Sequence, residues 1–522
     1  MGADRTWPDN PVIYQIYPRS FQDSTGSGEG DLRGITDRMS YIADLGVDAI
    51  WLCPFFVSPM IDGGYDIVDH MAVEPRFGTM SDFDDLVAAA KRCGLLVMID
   101  QVLNHTSDRH PLFQASINGD EVAAECYVWR DPKEDGTPPN NWLSLFGPSG
   151  WTWHHKRRQY YFHQFLSCQP SLDLRNDKVQ EMHRQEIQFW RDKGVDGFRF
   201  DAVTSYLFDE SMKDNPPASK DVQDRVFGAN FVPYSYQDHV YDMLPGDGAK
   251  YAEKLRAWAR DDAYLIGENN SGNNSLRLTL DFTEPGRLNG CYTVDMPESG
   301  ADPDMLEHLF ETIEDLSRHV KWLSSHDQPR HISARGDGSD RDARFFTLMM
   351  AVLPGPWLIY QGEELGLPQA TLSQDETTDP FDLIFWPDGP GREGARVPLP
   401  WSDAPQFGFT DGTPWLPMRW SRDRCVSAQS EQSTLGFYRS ALAARRENGW
   451  GEATVTEHRQ DGDVLICRIA TNEATWKIVI NYGDQTYQTA ADPPFMSSQP
   501  STGDVLGRAV AIWKLTPGSA QE

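Results

Sequence analysis

Gly197-Phe-Arg-Phe-Asp201 is a short apolar run that stops on a carboxylate, and the chain repeats the pattern at Tyr264-Leu-Ile-Gly-Glu268 and Trp322-Leu-Ser-Ser-His-Asp327. Runs of this length and bias predict buried parallel strands. A carboxylate where such a strand stops lies at its C-terminal end, the rim at which parallel α/β barrels gather their chemistry. Outward from these stretches, strand and helix alternate. Val12–Tyr17, Ala49–Cys53, Leu95–Gln101, Cys291–Asp295, Val320–Asp327 and Trp357–Gln361 predict further strands. Ile35–Leu45, Ser81–Arg92 with Ser81 as N-cap, Asp177–Lys193, Tyr251–Arg260, Met305–Ser317 and Phe345–Leu353 predict helices. Alternation sustained in this way predicts an α/β fold, a (β/α)8 TIM barrel.

Two stretches interrupt the alternation. Residues 105–172, rich in Trp, Pro and Gly, follow the third strand; a structureless loop of that length is foreign to a compact domain, so an inserted subdomain is expected. Residues 362–430 form a second long excursion. From about 450 the pattern turns to short β-like runs, Asp463–Ile469, Thr475–Asn481 and Ala509–Leu515, predicting a C-terminal antiparallel β-sandwich. The expected division is a barrel over 1–104 and 173–448, an insert over 105–172 and a β domain over 449–522.

With 39% hydrophobic residues among 522, the chain can bury a large core. A formal charge of −31 argues against nucleic acid, whose phosphates are bound by clustered Lys and Arg. No apolar stretch approaches the roughly 18 residues a membrane span needs. Met1-Gly-Ala-Asp-Arg-Thr-Trp-Pro8 lacks the basic-then-apolar layout of a secretory signal. The seven cysteines are scattered without a C-x-x-C pair, which predicts free thiols and a cytoplasmic location.

Three acids delivered to one rim suit the cleavage of a glycosidic bond. With retained configuration this takes a carboxylate nucleophile and a carboxylic acid about 5–5.5 Å away. Asp201 follows Arg199 by two residues and shares its face, and a cation there favours the ionised nucleophile. Glu268 suits the acid, since an apolar surround and a neighbouring carboxylate raise its pKa.

These residues resemble the α-amylase superfamily, glycoside hydrolase family 13, in its α-glucosidase and oligo-1,6-glucosidase branch. The resemblance runs over nearly the whole chain. It rests on Pro11-Val-Ile-Tyr-Gln-Ile-Tyr-Pro-Arg-Ser-Phe21, Asp100-Gln-Val-Leu-Asn104-His105, Gln169-Pro-Ser-Leu-Asp-Leu174, Gly197–Val203, Glu268 and His326-Asp327, in that order. It implies Asp201 as nucleophile, Glu268 as acid/base and Asp327 as stabiliser of the transition state. It also implies sugar contacts from Asp62, Tyr65, His105, Arg199, His326 and Arg396, with Phe165 facing the substrate. Asp62 with Arg396 would grip the terminal glucose and close the pocket, which gives exo action on short α-glucosides. Ala202, directly after the nucleophile, points to α-1,4 bonds as in maltose, with sucrose and alcohol acceptors as further partners.

One departure concerns the first barrel loop, where many relatives hold Ca²⁺. Here Asp23, Thr25, Ser27, Glu29 and Asp31 are the candidate ligands, with Thr25 and Ser27 replacing better donors, so only a weakly held cation is expected and no cofactor is required. A second departure is Asn269-Asn270 after the acid, which bears on the balance between hydrolysis and transfer. The alternatives are a sugar isomerase or dedicated glucosyltransferase, an endo-acting amylase, and a non-catalytic relative; the last is disfavoured because all three acids are present. The protein is expected to be a monomer or homodimer.

Overall fold

The computed structural model describes residues 6–220, 232–270, 274–389, 391–489 and 492–515. The first five residues of the N-terminal stretch read above lie outside the described residues. Seven parallel strands form one sheet: β1 (Val12–Ile16), β2 (Ala49–Leu52), β3 (Leu96–Gln101), β4 (Gly197–Phe200), β5 (Tyr264–Asn269), β6 (Gly290–Thr293) and β7 (Trp357–Tyr360). They run in the order β6-β5-β4-β3-β2-β1-β7. The ring closes between β6 and β7 through two isolated parallel bridges, Cys291 with His319 and Lys321 with Trp357. The strand expected over Val320–Asp327 is therefore reduced to a bridging segment. Beyond it the chain turns inward and delivers His326 and Asp327.

Each strand obeys the two-residue alternation of side chains. Ile13, Trp51, Leu96, Met98, Tyr264, Ile266, Tyr292, Val320, Trp322 and Tyr360 pack together as the barrel interior. Their neighbours Ile50, Val97, Ile99, Phe198, Phe200 and Leu265 join the larger cluster between the barrel and its helices. The N-terminal segment plugs the lower end of the barrel: Trp7 stacks on Tyr264 at 5.0 Å and donates to the Asp196 carbonyl at 2.9 Å.

Helix boundaries follow local chemistry. The helix after β2 spans Met80–Arg92 and is capped by Thr79, not Ser81, through a reciprocal capping box with Asp82. The helix before β4, Asp177–Asp192, starts at Asn176, whose side chain accepts from the Lys178 amide. The stretch expected as one helix at Ile35–Leu45 is two, Leu32–Asp37 and Met39–Leu45, joined at Arg38.

Between β3 and Asp177 lies a small unit with a three-stranded sheet of Trp129–Arg130, Gln159–Phe162 and Trp151–His154. Antiparallel bridges from His105 to Ser171 and from Tyr127 to Leu172 join its outgoing and returning segments. The C-terminal part is antiparallel β, as expected, but its strands between Thr454 and Leu515 form a single five-stranded sheet rather than two facing ones among the described residues. One face, with Leu465, Ile469, Trp476, Ile478 and Ile512, joins the core beneath the barrel helices, and Val505 and Tyr487 cover the other. All seven cysteines are free thiols. Among the described residues no helix is long and apolar enough to cross a membrane.

Gly355 illustrates how tightly the closing seam is built. It adopts φ +91°, and a Cβ there would lie 2.3 Å from the Leu316 carbonyl oxygen, beside the segment that joins β6 to β7. Gly355→Ala is expected to cost about 2–4 kcal/mol from backbone strain and overpacking. Urea denaturation measures this, and an unchanged midpoint would contradict the packing described.

Candidate active site

The functional side chains are the last members of the inward-facing series. On β3 the series Leu96, Met98 ends at Asp100; on β4, Gly197 and Arg199 lead to Asp201; on β5, Tyr264 and Ile266 lead to Glu268. Strand register aligns them, since Asp100 pairs with Arg199 and Glu268 with Tyr292. Arg199 is wholly buried and holds the group together. Its Nη1 donates to Asp100 Oδ1 at 2.7 Å and Asp201 Oδ1 at 2.8 Å, and its Nε to Tyr292 OH at 2.8 Å. Its Nη2 pairs with Glu268 Oε2 at 2.7 Å. Asp201 and Glu268 thus face each other across one guanidinium.

Ala202, directly after Asp201, sits in the left-handed region at φ +42°, ψ +49°. This costs a non-glycine residue about 1 kcal/mol. The turn brings the Ala202 amide to within 3.1 Å of Glu268 Oε2. Oε2 therefore accepts two donors, the Ala202 amide and the Arg199 guanidinium. Burial pushes the Glu268 carboxyl up to about 7; Arg199 opposes this, and Asp201 and Asp327 reinforce it. Burial likewise raises Asp201 to about 7 against the pull of Arg199. Both carboxyls are thus raised beside one guanidinium, and the two donors on Glu268 Oε2 leave its Oε1 as the oxygen that can carry a proton.

Asp327 lies on the opposite wall. Burial alone would raise its carboxyl, but His326, Arg392 and Arg396 hold it well below the usual range. Its Oδ1 accepts from Arg392 Nη1 and Arg396 Nη2, each at 2.8 Å. Its Oδ2 lies 3.0 Å from His326 Nε2. Gln15 Nε2 donates to His326 Nδ1 at 2.8 Å, which fixes the proton on Nε2. Tyr17 stacks on the ring at 5.9 Å, and Tyr65 OH meets His326 Nε2 at 2.6 Å and donates to Asp100 Oδ2 at 2.9 Å.

Asp62 closes one end, but its partner is not the arginine expected from the sequence. Arg392 Nη2 reaches Asp62 Oδ1 at 2.8 Å. Arg396 lies behind, on the His326 carbonyl at 2.7 Å and on Asp327. Gly63, at φ +59°, makes room for it, since a Cβ there would lie 3.1 Å from Arg396 Nη1. Gln169 of the inserted unit donates to Asp62 Oδ2 at 2.9 Å. His105 is buried and its Nε2 donates to the Tyr65 carbonyl at 3.0 Å, while burial lowers its pKa to about 4. Phe165 meets the His105 ring edge-on at 5.3 Å and packs with Phe146, Ala202 and Phe381 in one apolar wall.

All ten expected catalytic and sugar-contact positions thus converge on one cup or its wall. Asp100, Tyr292, Gln15 and Arg392 were missed. Asp100 carries a signal, being the inward residue at the end of its strand; Arg392 stands four residues before Arg396 in the same stretch.

The first barrel loop does not gather around a cation. Asp23 Oδ1 accepts from the Thr25 and Gly26 amides and Thr25 Oγ1, and Oδ2 from the Gly28 amide and Thr410 Oγ1. Asp31 caps the following helix through Gly34 and takes both Ser24 donors. Glu29 turns to Arg19 and Arg76, and the Ser27 hydroxyl donates to the Glu29 carbonyl at 3.0 Å. With its carboxylates committed to internal donors, this set does not fit the Ca²⁺ ligation expected of Asp23, Thr25, Ser27, Glu29 and Asp31. Among the described residues no group of three or more His, Cys, Asp or Glu side chains is disposed to hold a metal ion.

Comparison with known proteins agrees with this geometry. Residues 15–453 match the family described as alpha amylase, catalytic domain. The "Probable alpha-glucosidase" of Rhizobium meliloti (strain 1021) is 43% identical over 466 residues, spanning 86% of this chain and 84% of its own length. The crystal structure of an alpha-glucosyl transfer enzyme, XgtA, superposes with a TM-score of 0.90 at 38% identity, covering 98% of this chain and 100% of that one. An isomaltulose synthase mutant from Erwinia rhapontici NX5, in complex with D-glucose, superposes at 0.86 with 27% identity, covering 98% and 100%.

The raised Glu268 carboxyl can be followed directly. Infrared difference spectra against Glu268→Gln should show a protonated-carboxyl band that titrates near pH 7 in the parent protein. A Glu268 already ionised at pH 5 would contradict the assignment.

Proposed function

This chain belongs to the alpha-amylase family, in its α-glucosidase branch, and is a glycoside hydrolase; from that premise we propose that it is a retaining, exo-acting α-glucosidase cleaving short α-1,4-linked glucosides such as maltose. The observation that carries this reading is the pairing of two acids on one buried guanidinium, in a cup closed at one end by Asp62 and Arg392.

In the proposed cycle a terminal glucosyl unit enters with its non-reducing end against Asp62 and Arg392. The ionised Asp201 attacks the anomeric carbon as Glu268 passes its proton to the departing glycosidic oxygen, leaving a glucosyl ester on Asp201 and a free alcohol. A water then gives its proton to Glu268, and its oxygen attacks the same carbon and releases Asp201. Inversion twice over leaves the configuration unchanged. Asp327, fixed by Arg392, Arg396 and His326, accepts from sugar hydroxyls and favours the positive charge that develops on the ring. A closed end accepts one terminal sugar and rejects an internal one, which supports exo action.

The α-1,4 preference rests on Ala202. Its Cβ packs with Phe165 and Tyr234 beside the acids, and its left-handed backbone disfavours a β-branched replacement. A second reading, net transfer of glucose to another hydroxyl, is favoured by the likeness to the transfer enzyme and the isomaltulose synthase. It uses the same ester and differs only in which hydroxyl arrives second.

Proton NMR of maltose turnover tests the proposal. We expect glucose whose first-formed anomer is α, and isomaltose cleaved at least about tenfold more slowly. A first-formed β anomer would overturn retention; a dominant disaccharide product at low substrate would favour transfer. Arg392→Ala is expected to lower kcat/KM for maltose about 100-fold, the scale set by losing a buried charge-assisted contact. It should also admit oligosaccharides blocked at the non-reducing end, which the parent enzyme leaves intact. Cleavage of blocked substrates by the parent would contradict the exo assignment.

A further inference from the structure

Behind the closed end lies a carboxylate that no sugar can reach. The Asp379 side chain is 0% exposed, against 31% for Asp327. It accepts from Arg392 Nε through Oδ2 at 2.6 Å and from Arg392 Nη2 through Oδ1 at 2.7 Å, a two-pronged grip on the guanidinium. Arg396 Nη1 lies 3.5 Å from the same Oδ1. Both arginines then spend one further nitrogen on Asp327 Oδ1. The result is a lattice of two guanidiniums and three carboxylates, Asp62, Asp327 and Asp379, in which Asp379 alone has no access to the cup.

The surroundings hold Asp379 in turn. Its amide donates to Glu393 Oε2 at 3.1 Å, and its carboxylate caps the short helix Pro380–Ile384 through the Asp382 amide. Asp382 accepts from the amides of Gly391, Arg392 and Glu393 at 2.8, 3.2 and 3.0 Å. The Arg392 guanidinium packs on an edge-to-face pair of rings, 5.2 Å from Phe146 of the inserted unit and 5.5 Å from Phe381. Two segments, 378–382 and 391–393, are thereby clasped together with the guanidinium aimed into the cup.

We infer that Asp379 is a positioning residue, which by gripping Arg392 and countering Arg396 keeps both guanidiniums on Asp327 Oδ1 and so sets the sugar-holding wall of the pocket. This rests on the α-glucosidase reading above. The physical reason is charge balance. Two arginines side by side repel, and Asp62 and Asp327 are both drawn on by substrate. A third carboxylate outside the cup holds the pair in place whether or not a sugar is bound. Burial would raise its own pKa, yet Arg392 and Arg396 keep it below the ordinary carboxylate range, so its charge persists across the working pH.

Asp379→Asn keeps the volume and removes the charge. It should lower kcat/KM for maltose by about 100-fold, the scale for breaking a buried charge pair, with folding verified by circular dichroism. A double-mutant cycle separates positioning from general destabilisation. If Asp379 acts through Arg392, adding Asp379→Asn to Arg392→Ala should change kcat/KM by less than about threefold, whereas independent damage would multiply. Asp379→Glu should restore part of the loss. A folded Asp379→Asn within threefold of the parent, or effects that multiply, would overturn the inference. If the parent itself releases no glucose from any α-glucoside, the functional reading fails first, and the two failures are told apart.

Discussion

One guanidinium sets the terms for the rest of the site. Arg199 is buried at the centre of the barrel's C-terminal rim with Asp100, Asp201 and Glu268 on its nitrogens. A lone buried charge of this kind costs several kcal/mol, and only close partners offset it. Three carboxylates around one cation exceed that balance, so a proton stays in the cluster. The Ala202 amide and Arg199 both occupy Glu268 Oε2, which leaves that acid's other oxygen as the proton carrier. The count of donors around a single arginine thus supports the roles of nucleophile and acid in the proposed cycle.

The geometry that delivers these groups is the ordinary pleat of a parallel strand. Every second residue of β3, β4 and β5 points inward, and the interior is filled by Met98, Ile266, Tyr264 and their neighbours up to the level where the acids begin. The packed column below is mainly apolar, which raises the pKa of the acids above it. The irregular parts then add what a barrel cannot. The inserted unit contributes Phe146, Phe165 and Gln169, and the long excursion after β7 contributes Asp379, Arg392 and Arg396. Asp62 is reached by both, through Gln169 and Arg392, and that meeting point closes the cup.

Much of this was legible in the sequence because it is local. Apolar runs ending on carboxylates predict strand ends, and the two-residue period predicts that Arg199 and Asp201 share a face. The misreadings have non-local causes. Val320–Asp327 reads as a strand, yet only its first residues pair, because the chain must leave the sheet to place His326 against Gln15 and Tyr65. Arg392 and Arg396 stand in one stretch with equal local claims; which meets Asp62 is decided by a contact spanning 330 positions. Asp379 lies in a loop without periodicity or motif, so nothing in the linear text singles it out. In the first barrel loop Asp23 and Asp31 accept from nearby amides and hydroxyls and Glu29 turns to Arg19 and Arg76, a fold-back that spacing alone does not reveal.

The proposed cycle requires Asp201 to become esterified to the sugar. A fluorinated glucosyl fluoride that forms this ester quickly and releases it slowly, followed by peptic digestion and mass spectrometry, examines that step directly. The label should appear on the peptide carrying Asp201 and vanish in Asp201→Asn. A label on any other residue, or rapid turnover with no protein-bound sugar, would contradict it.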